Sequence, residues 1–314
     1  MLKKLTKKVS RLRSLVRKFP PLRRLDDRIT LNRRFLVEKA LIKGTHQNNN
    51  PHPSILHFTV AKCATRHVMG VLKQCACACG MTHVNLNSYI FDTSIPFLDK
   101  MSAEEFAKYR HVFKPNGYLY STLGGMSEGI PDLGEYKIVL MLRDPRDVLV
   151  SNYYSIAYSH GLPIEGSMRH DGFVQERMRA REMSLDDYAC DQSSWVKGVY
   201  ERYYNLLVKK YPPSFYYYTS YEAMVGDYPR WLKDLLAYLE LDVPTSLVDA
   251  LIDKNERSRP AQEDIYKHRR LGRSGDYLEK ISPKTISYLN EDLKEMLSVF
   301  GYSEKEPAQG KFLG

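Results

Sequence analysis

Long apolar runs are missing from this 314-residue sequence, and none is longer than the five residues of 138–142. A helix that crosses a bilayer needs about 20 consecutive apolar residues, so no transmembrane helix is predicted. Cysteine is also scarce, with five residues, and Cys75, Cys77 and Cys79 alternate along the chain. Neighbours at that spacing cannot easily bridge one another, which argues against a disulfide framework and favours a reduced, cytoplasmic location.

Acidic residues are nearly absent from the N-terminal segment. Residues 1–44 hold 15 lysines and arginines but only three acidic residues, whereas the whole chain carries a net charge of +10. The rest of the chain is therefore nearly neutral. Apolar residues recur at steps of three and four between Leu2 and Phe19, which predicts a basic amphipathic helix. Two interpretations stay open: attachment to an anionic membrane surface or acidic partner, and packing of the leucines on the body.

Short apolar runs alternate with long helical patterns in the body. Strands are predicted at residues 55–60, 118–121, 137–142 and 215–219, and helices at 66–77, 145–158, 184–210, 228–239 and 283–300. This alternation predicts an α/β fold, with a parallel sheet flanked by helices on both faces. Residues 161–181 have weak periodicity and are predicted to form a surface excursion or lid. The predicted organisation is a basic arm (1–44), a linker rich in Asn and Pro (45–53), one α/β domain (54–302) and a C-terminal tail (303–314).

Two segments of the body carry residues suited to binding an anion. The loop Ala61-Lys62-Cys63-Ala64-Thr65-Arg66 joins a predicted strand to a helix, where backbone N–H groups and the helix dipole attract negative charge. It is no Walker A motif, because GxxxxGK[ST] is absent. Arg143 ends the strand 137–142, and Ser151 lies two turns along the next helix, so both can contact one anion at the sheet's carboxyl edge.

With these segments the sequence resembles the sulfotransferases that use 3′-phosphoadenosine 5′-phosphosulfate (PAPS). Lys62-Cys63-Ala64-Thr65-Arg66 is similar to the family's 5′-phosphosulfate loop, and Arg143 to Ser151 is similar to its 3′-phosphate segment. Residues 270–277 resemble a third family segment, and residues 217–222 resemble the strand and turn that approach adenine. The resemblance covers about residues 54–300 and implies a P-loop-like fold, PAPS as co-substrate, adenosine 3′,5′-bisphosphate (PAP) as product, and no metal.

The resemblance also implies which residues contact the nucleotide. They are Lys62, Cys63, Ala64, Thr65, Arg66, His67, Arg143, Ser151, Tyr221, Arg270, Leu271 and Gly272. Three departures stand out. Cys63 and Ala64 replace the usual Ser/Gly pair, His67 replaces a tryptophan that stacks on adenine in many members, and Leu271 replaces a lysine.

Sulfuryl transfer needs a cation at the departing oxygen and a base for the acceptor hydroxyl. The resemblance gives the first role to Lys62. Cytosolic members carry a histidine where this chain has Ser121-Thr122, and carbohydrate-type members carry a glutamate about twenty residues after the loop lysine. His83 follows Lys62 by 21 residues and is the predicted base. The rivals are His57, His111 and Asp92.

The predicted function is transfer of the sulfuryl group from PAPS to a hydroxyl of a carbohydrate, lipid or small alcohol. The alternative is a P-loop kinase for a small molecule or nucleotide, but no Walker loop or Mg²⁺-binding pair can be placed. Nucleic acid is not a predicted partner, because the basic charge is confined to the arm and the body has no recognition motif.

Overall fold

The computed structural model describes residues 33–93, 95–163, 169–258, 262–267, 270 and 272–303. Leu271, which we predicted to contact the nucleotide, therefore lies outside the described residues. The same holds for residues 1–32 of the predicted arm and for the predicted tail beyond Ser303.

A five-stranded parallel sheet lies at the centre of the fold, in the order β2-β3-β1-β4-β5. The strands are β1 (Ile55–Thr59), β2 (Thr82–Val84), β3 (Tyr118–Leu123), β4 (Lys137–Leu142) and β5 (Tyr217–Ser220). Every residue of β1 is buried. This agrees with its apolar character, since parallel sheets are covered on both faces.

Helices cover both faces of this sheet. They are α1 (Leu36–Ile42), α2 (Thr65–Ala78), α3 (Leu86–Phe91), α4 (Ala103–Ala107), α5 (Pro145–Tyr154), α6 (His170–Glu182), α7 (Leu185–Tyr203), α8 (Tyr221–Gly226), α9 (Tyr228–Leu239), α10 (Thr245–Arg257), α11 (Asp276–Lys280), α12 (Pro283–Asp292) and α13 (Lys294–Val299). Short 3₁₀ turns occur at Leu98–Lys100, Arg110–Val112, Leu133–Glu135 and Pro213–Phe215, and π turns at Ser155–Ser159 and Tyr204–Val208. The predicted α/β fold is confirmed. Among the described residues, no helix combines the length and apolar character needed to cross a bilayer.

Alternate residues of the strands build two cores, one on each face. Leu56, Phe58, Ile138, Leu140 and Leu142 pack with α5, α7, α12 and α13 on one face. Ile55, Val139 and Met141 pack with α2, α9 and α10 on the other. Because side chains alternate across a strand, one apolar run supplies both cores.

The neighbours β1 and β4 lead into helices on opposite faces of the sheet. The loop after β1 enters α2, which belongs to one core, and the loop after β4 enters α5, which belongs to the other. In open α/β sheets, ligands bind at the carboxyl ends of two strands with this relationship. The two segments that the sequence singled out therefore meet at this crevice.

Residues 33–53 pack against the body, although the sequence assigned them to an arm and a linker. Phe35 and Leu41 are buried in the core. The Nδ2 of Asn48 donates to Thr82 Oγ1 at 2.8 Å and to the Gly117 carbonyl at 3.0 Å. Asparagine amides bind backbone groups as readily as they bind water, so composition alone did not reveal these contacts.

The structure also differs from the prediction at the end of the predicted helix 145–158 and in the residues that follow it. α5 ends at Tyr154 and continues as the π turn Ser155–Ser159. We expected residues 161–181 to form a surface excursion or lid, but residues 170–181 belong to the helix α6 (His170–Glu182). The charged faces of α6 hid its helical period. Arg181 of that helix donates through Nε to the Ala157 carbonyl at 2.7 Å. This contact joins a side chain of α6 to the backbone of the π turn.

Candidate functional site

A cavity of about 1250 Å³ opens at the carboxyl ends of β1 and β4. Most of the sequence-predicted residues line it, namely Lys62, Ala64, Thr65, Arg66, His67, Arg143, Ser151, Tyr221, Arg270 and Gly272. Cys63 and His83 are not among the lining residues. The fold thus gathers four distant segments of the chain around one cavity.

The loop between β1 and α2 has left-handed backbone at two residues that are not glycine. Lys62 has a φ of 76° and Ala64 a φ of 52°. Ala64 is the N-cap of α2, no side chain caps this end, and the first turn contains no acidic residue. The positive end of the helix dipole is therefore available to an anion in the cavity. Such alternating backbone also turns successive N–H groups towards one point.

Lys62 supplies a positive charge to this loop. Its ammonium donates a hydrogen bond to Ser155 Oγ on the π turn. Burial, and next the charge of Arg66, lower the pKa of Lys62 from 10.5 to about 8. We predicted that Cys63 contacts the nucleotide. That contact can involve only the Cys63 backbone, because the thiol is buried in the core and burial raises its pKa.

Arg143 is the buried cation on the opposite side of the crevice. One terminal nitrogen donates to the Lys62 carbonyl and the other to Asp147 Oδ2, both at 3.2 Å. Its guanidinium carbon lies 4.1 Å from the centre of the Tyr221 ring. Burial opposes the charge, but Asp147 and Tyr221 raise the pKa of Arg143, so it stays charged. Its buried Nε finds no partner among the described residues, which leaves a donor for a ligand.

Asp147 connects the third predicted segment to Arg143. Its Oδ2 accepts from the Gly275 N–H at 2.8 Å and its Oδ1 from the Tyr277 N–H at 3.0 Å. These bonds hold the loop containing Arg270 against the start of α5. Arg270 pairs with Glu263 and Asp276, so its charge is already partly balanced.

Glu222 is a buried carboxylate at the same edge, and the sequence placed it only within the adenine segment. Its Oε1 accepts from the Asp144 N–H at 3.0 Å. Burial raises the pKa of Glu222 to about 8, although Asp144 N–H and Arg143 counteract this effect. The side chain of Asp144 caps α5 by accepting from the Arg146 N–H at 2.9 Å. The first turn of α5 is thereby fixed beneath the cavity.

The candidate bases are placed very differently from one another. His83 lies on β2 at the sheet edge, where its Nε2 donates to the Ser121 carbonyl at 3.0 Å. His57 is fully buried on β1, where burial lowers its pKa to about 3. His111 contacts the Ile42 carbonyl at 2.9 Å. Among the four, only Asp92 lines the cavity, and it pairs with Arg34 at 3.1 Å.

The cavity is also lined by titratable residues that the sequence did not single out, and two of them could act as a base. They are Asp99 and His160. His160 follows the π turn at the end of the predicted helix 145–158, and a π turn has no signature in the sequence. Asp99 belongs to the 3₁₀ turn Leu98–Lys100, which is too short for any periodicity to show.

The comparisons with known proteins agree with this geometry. The family model described as "Sulfotransferase domain" matches residues 127–301, more than half of the chain. The chain belongs to the sulfotransferase family. The matched region of this sulfotransferase includes Arg143, Ser151 and the 270–277 segment, while the Lys62 loop precedes it. A search of curated proteins finds no match.

The chain was also compared with solved structures. The chain is similar to a mouse sulfotransferase, SULT7A1, complexed with PAP, with a TM-score of 0.52 and 16% identity over 83% of this chain and 89% of that one. Retinol dehydratase in a complex with retinol and PAP has a TM-score of 0.44 and 12% identity over 83% and 85% of the two chains. The first of these likenesses supports the predicted sulfotransferase architecture.

Proposed function

We propose that this sulfotransferase moves the sulfuryl group of PAPS to a hydroxyl acceptor. The observation that carries the proposal is the single cavity in which the Lys62 loop, the Arg143 segment and the Arg270 segment meet. PAPS supplies an activated sulfuryl group whose leaving group is a phosphate. The mouse relative that shares the fold is complexed with PAP, which supports the choice of nucleotide.

The residues of the cavity fit a nucleotide with two phosphate groups. The uncapped start of α2 and the Lys62 ammonium suit the 5′-phosphate and the sulfuryl oxygens. The unpartnered Nε of Arg143, with Ser151 and Arg270 on the same cavity, suits the 3′-phosphate. Lys62 would balance the charge that grows on the departing oxygen. Thr65 and Arg66 follow Lys62 in the chain, also line the cavity, and would bind the 5′-phosphate and sulfuryl oxygens.

The adenine ring would contact an aromatic corner. His67 lines the cavity and its ring centre lies 5.5 Å from that of Tyr228, at an interplanar angle of 57°. Tyr221 also lines the cavity. A flat base can stack on such rings, although an imidazole offers a smaller face than the tryptophan of many family members.

Calorimetric titration with nucleotides tests the proposal. PAP should bind tightly and release heat, AMP should bind much more weakly because it lacks the 3′-phosphate, and ATP with Mg²⁺ should not compete with PAP. Transfer is then measured with ³⁵S-labelled PAPS and hydroxyl acceptors drawn from carbohydrates, lipids and small alcohols. Tighter binding of ATP with Mg²⁺ than of PAP would instead favour the kinase alternative.

We further propose that the N-terminal arm binds an anionic membrane surface from the cytoplasmic side. The support is its sequence, in which residues 1–44 hold 15 basic residues and eight of them lie along the apolar stripe between Leu2 and Phe19. Each basic residue near such a surface contributes about 1 kcal/mol at low salt, and the attraction fades beyond a Debye length. The full chain should sediment with phosphatidylserine-containing vesicles at low salt and much less at high salt.

The truncation for this test ends before the packed segment. A variant lacking residues 1–32 keeps Phe35 and Leu41, which the core needs. It should stay in solution with vesicles and keep the melting temperature of the full chain. Equal vesicle binding by both proteins would contradict the membrane role, and a lowered melting temperature would favour packing of the arm on the body.

A further inference from the structure

His160 lies directly beyond the π turn that carries the partner of Lys62. The backbone N–H of His160 donates to the Ser155 carbonyl at 2.7 Å, and Ser155 Oγ accepts from the Lys62 ammonium. A π turn adds one residue to the helical repeat and is frequent at functional sites. The result is that Lys62, Ser155 and His160 line one cavity.

The imidazole of His160 has a defined tautomer. Its Nδ1 lies 2.7 Å from the Gly161 carbonyl. A carbonyl can only accept, so Nδ1 carries the proton and the neutral ring keeps its lone pair on Nε2. Among the described residues, the hydrogen bond of the His160 side chain is the one at Nδ1, and Nε2 makes none.

The ring and its backbone are held in place by α3 and α6. The ring centre lies 6.0 Å from that of Phe91 and 5.0 Å from that of Phe173. Arg177 donates through Nε to the Ile156 carbonyl at 2.9 Å and through a terminal nitrogen to the His160 carbonyl. The guanidinium of Arg177 thus lies beside the carbonyls of the π turn and of His160, and its positive charge stabilises this conformation.

We propose that His160 is the general base that takes the proton from the acceptor hydroxyl, a role that rests on the sulfuryl transfer proposed above. The hydroxyl proton moves to Nε2 while the hydroxyl oxygen forms a bond to sulfur. The bond between sulfur and the bridging oxygen breaks, and its electron pair stays on the 5′-phosphate of PAP beside the Lys62 ammonium. The products are a sulfate ester, PAP and an imidazolium that returns its proton to water.

The charges around His160 keep the imidazole neutral. Burial lowers its pKa below 6.5, and the positive charges of Lys62, Arg66 and Arg177 lower it further, while the bond to Gly161 opposes them. Directly after α3, the carboxylate next to Phe91 is Asp92, which pairs with Arg34 at 3.1 Å. A neutral imidazole is the form that can accept a proton near physiological pH.

The first test measures turnover of the full chain with ³⁵S-labelled PAPS and two probe acceptors, 1-butanol and 4-nitrophenol. His160→Gln should lower kcat for the alcohol by about 10²–10⁴-fold, remove the acid limb of its pH profile, and leave PAP affinity unchanged. The loss should be smaller for 4-nitrophenol, whose hydroxyl is already largely ionised. The matched control is His170→Gln, since His170 pairs with Asp171 on α6 outside the cavity, and it should behave as the wild type.

The second test does not depend on turnover. Long-range ¹H–¹⁵N spectra, assigned with His160→Gln, should show the Nδ1–H tautomer at neutral pH, and PAP should raise the pKa of His160 by offsetting Lys62 and Arg66. A proton on Nε2, or a pKa that PAP leaves unchanged, overturns the proposal. So does an active wild type whose acid limb survives in His160→Gln but disappears in His83→Gln or Asp99→Asn. A wild type that transfers no sulfuryl group at all contradicts the proposed function instead.

Discussion

The charge state of Lys62 gives the sharpest test of the nucleotide site. Burial and the neighbouring Arg66 lower its pKa to about 8, and within the described residues no carboxylate forms an ion pair with it. The anionic nucleotide would supply the missing counter-charge. Binding therefore favours the protonated lysine, and the pKa of Lys62 should rise again in the complex.

The expected size follows from the pKa. Below pH 8 the free protein already holds the proton, so affinity is insensitive to pH. Above pH 8 each further pH unit lowers the fraction of protein with a protonated Lys62 about tenfold, which weakens binding by about 1.4 kcal/mol. Phosphate groups have a second pKa of about 6 and are fully charged in this range. The Kd for PAP should therefore rise about tenfold between pH 7 and pH 9.

Isothermal titration calorimetry at constant ionic strength measures this change, and a set of buffers with different ionisation enthalpies reports proton uptake. Close to one proton should be taken up per PAP bound at pH 9. Lys62→Met should remove this uptake, whereas Lys73→Met, an exposed lysine on α2, should not. Glu222 also has a pKa of about 8, so Glu222→Gln is needed to subtract the part that comes from its ionisation.

The refuting result is a Kd for PAP that stays flat from pH 7 to pH 9 in the wild type. A Lys62→Met protein whose Kd keeps the wild-type dependence on pH would equally exclude Lys62 as the titrating group. Lys62→Met should also lower kcat by about 10²–10³-fold, or about 2.7–4 kcal/mol, as loss of a charge-stabilising donor does in other enzymes.

Three further predictions concern individual side chains. Arg143→Ala should weaken PAP binding by about 1.5–3 kcal/mol but leave AMP binding nearly unchanged in calorimetry, and equal losses for both would contradict its contact with the 3′-phosphate. Ala64→Gly should raise the free energy of unfolding by up to about 1 kcal/mol, because left-handed backbone costs an L-residue about 1–2 kcal/mol and glycine returns part of that through its unfolded-state entropy; a loss in urea denaturation would speak against it. Phe35→Ala should lower that free energy by about 3–5 kcal/mol, since only 2% of Phe35 is exposed, and an unchanged urea midpoint would show that residues 33–44 do not belong to the body.

Four of the five strands, the Lys62 loop and the position of Arg143 could be predicted from the sequence, whereas the three-residue strand β2 was not among the predicted strands. The apolar runs of β1 and β4 are continuous because both faces of a parallel sheet are covered. A basic residue follows each run closely in the sequence: Lys62 follows β1 and Arg143 follows β4. Such positions are local in sequence, and parallel strands bring their carboxyl ends to one edge, so the cation pair of the crevice could be predicted.

Which other groups face the cavity depends on the tertiary structure. His83 matched a family spacing, but the strand order puts β2 at the sheet edge with β3 between it and β1. Spacing along the chain counts residues and does not record strand order. His160 reaches the cavity because a π turn shifts the helical repeat after Tyr154 and because arginines of α6 bind the carbonyls of that turn. Those bonds join side chains to backbone groups about twenty residues away, and no periodic pattern records them.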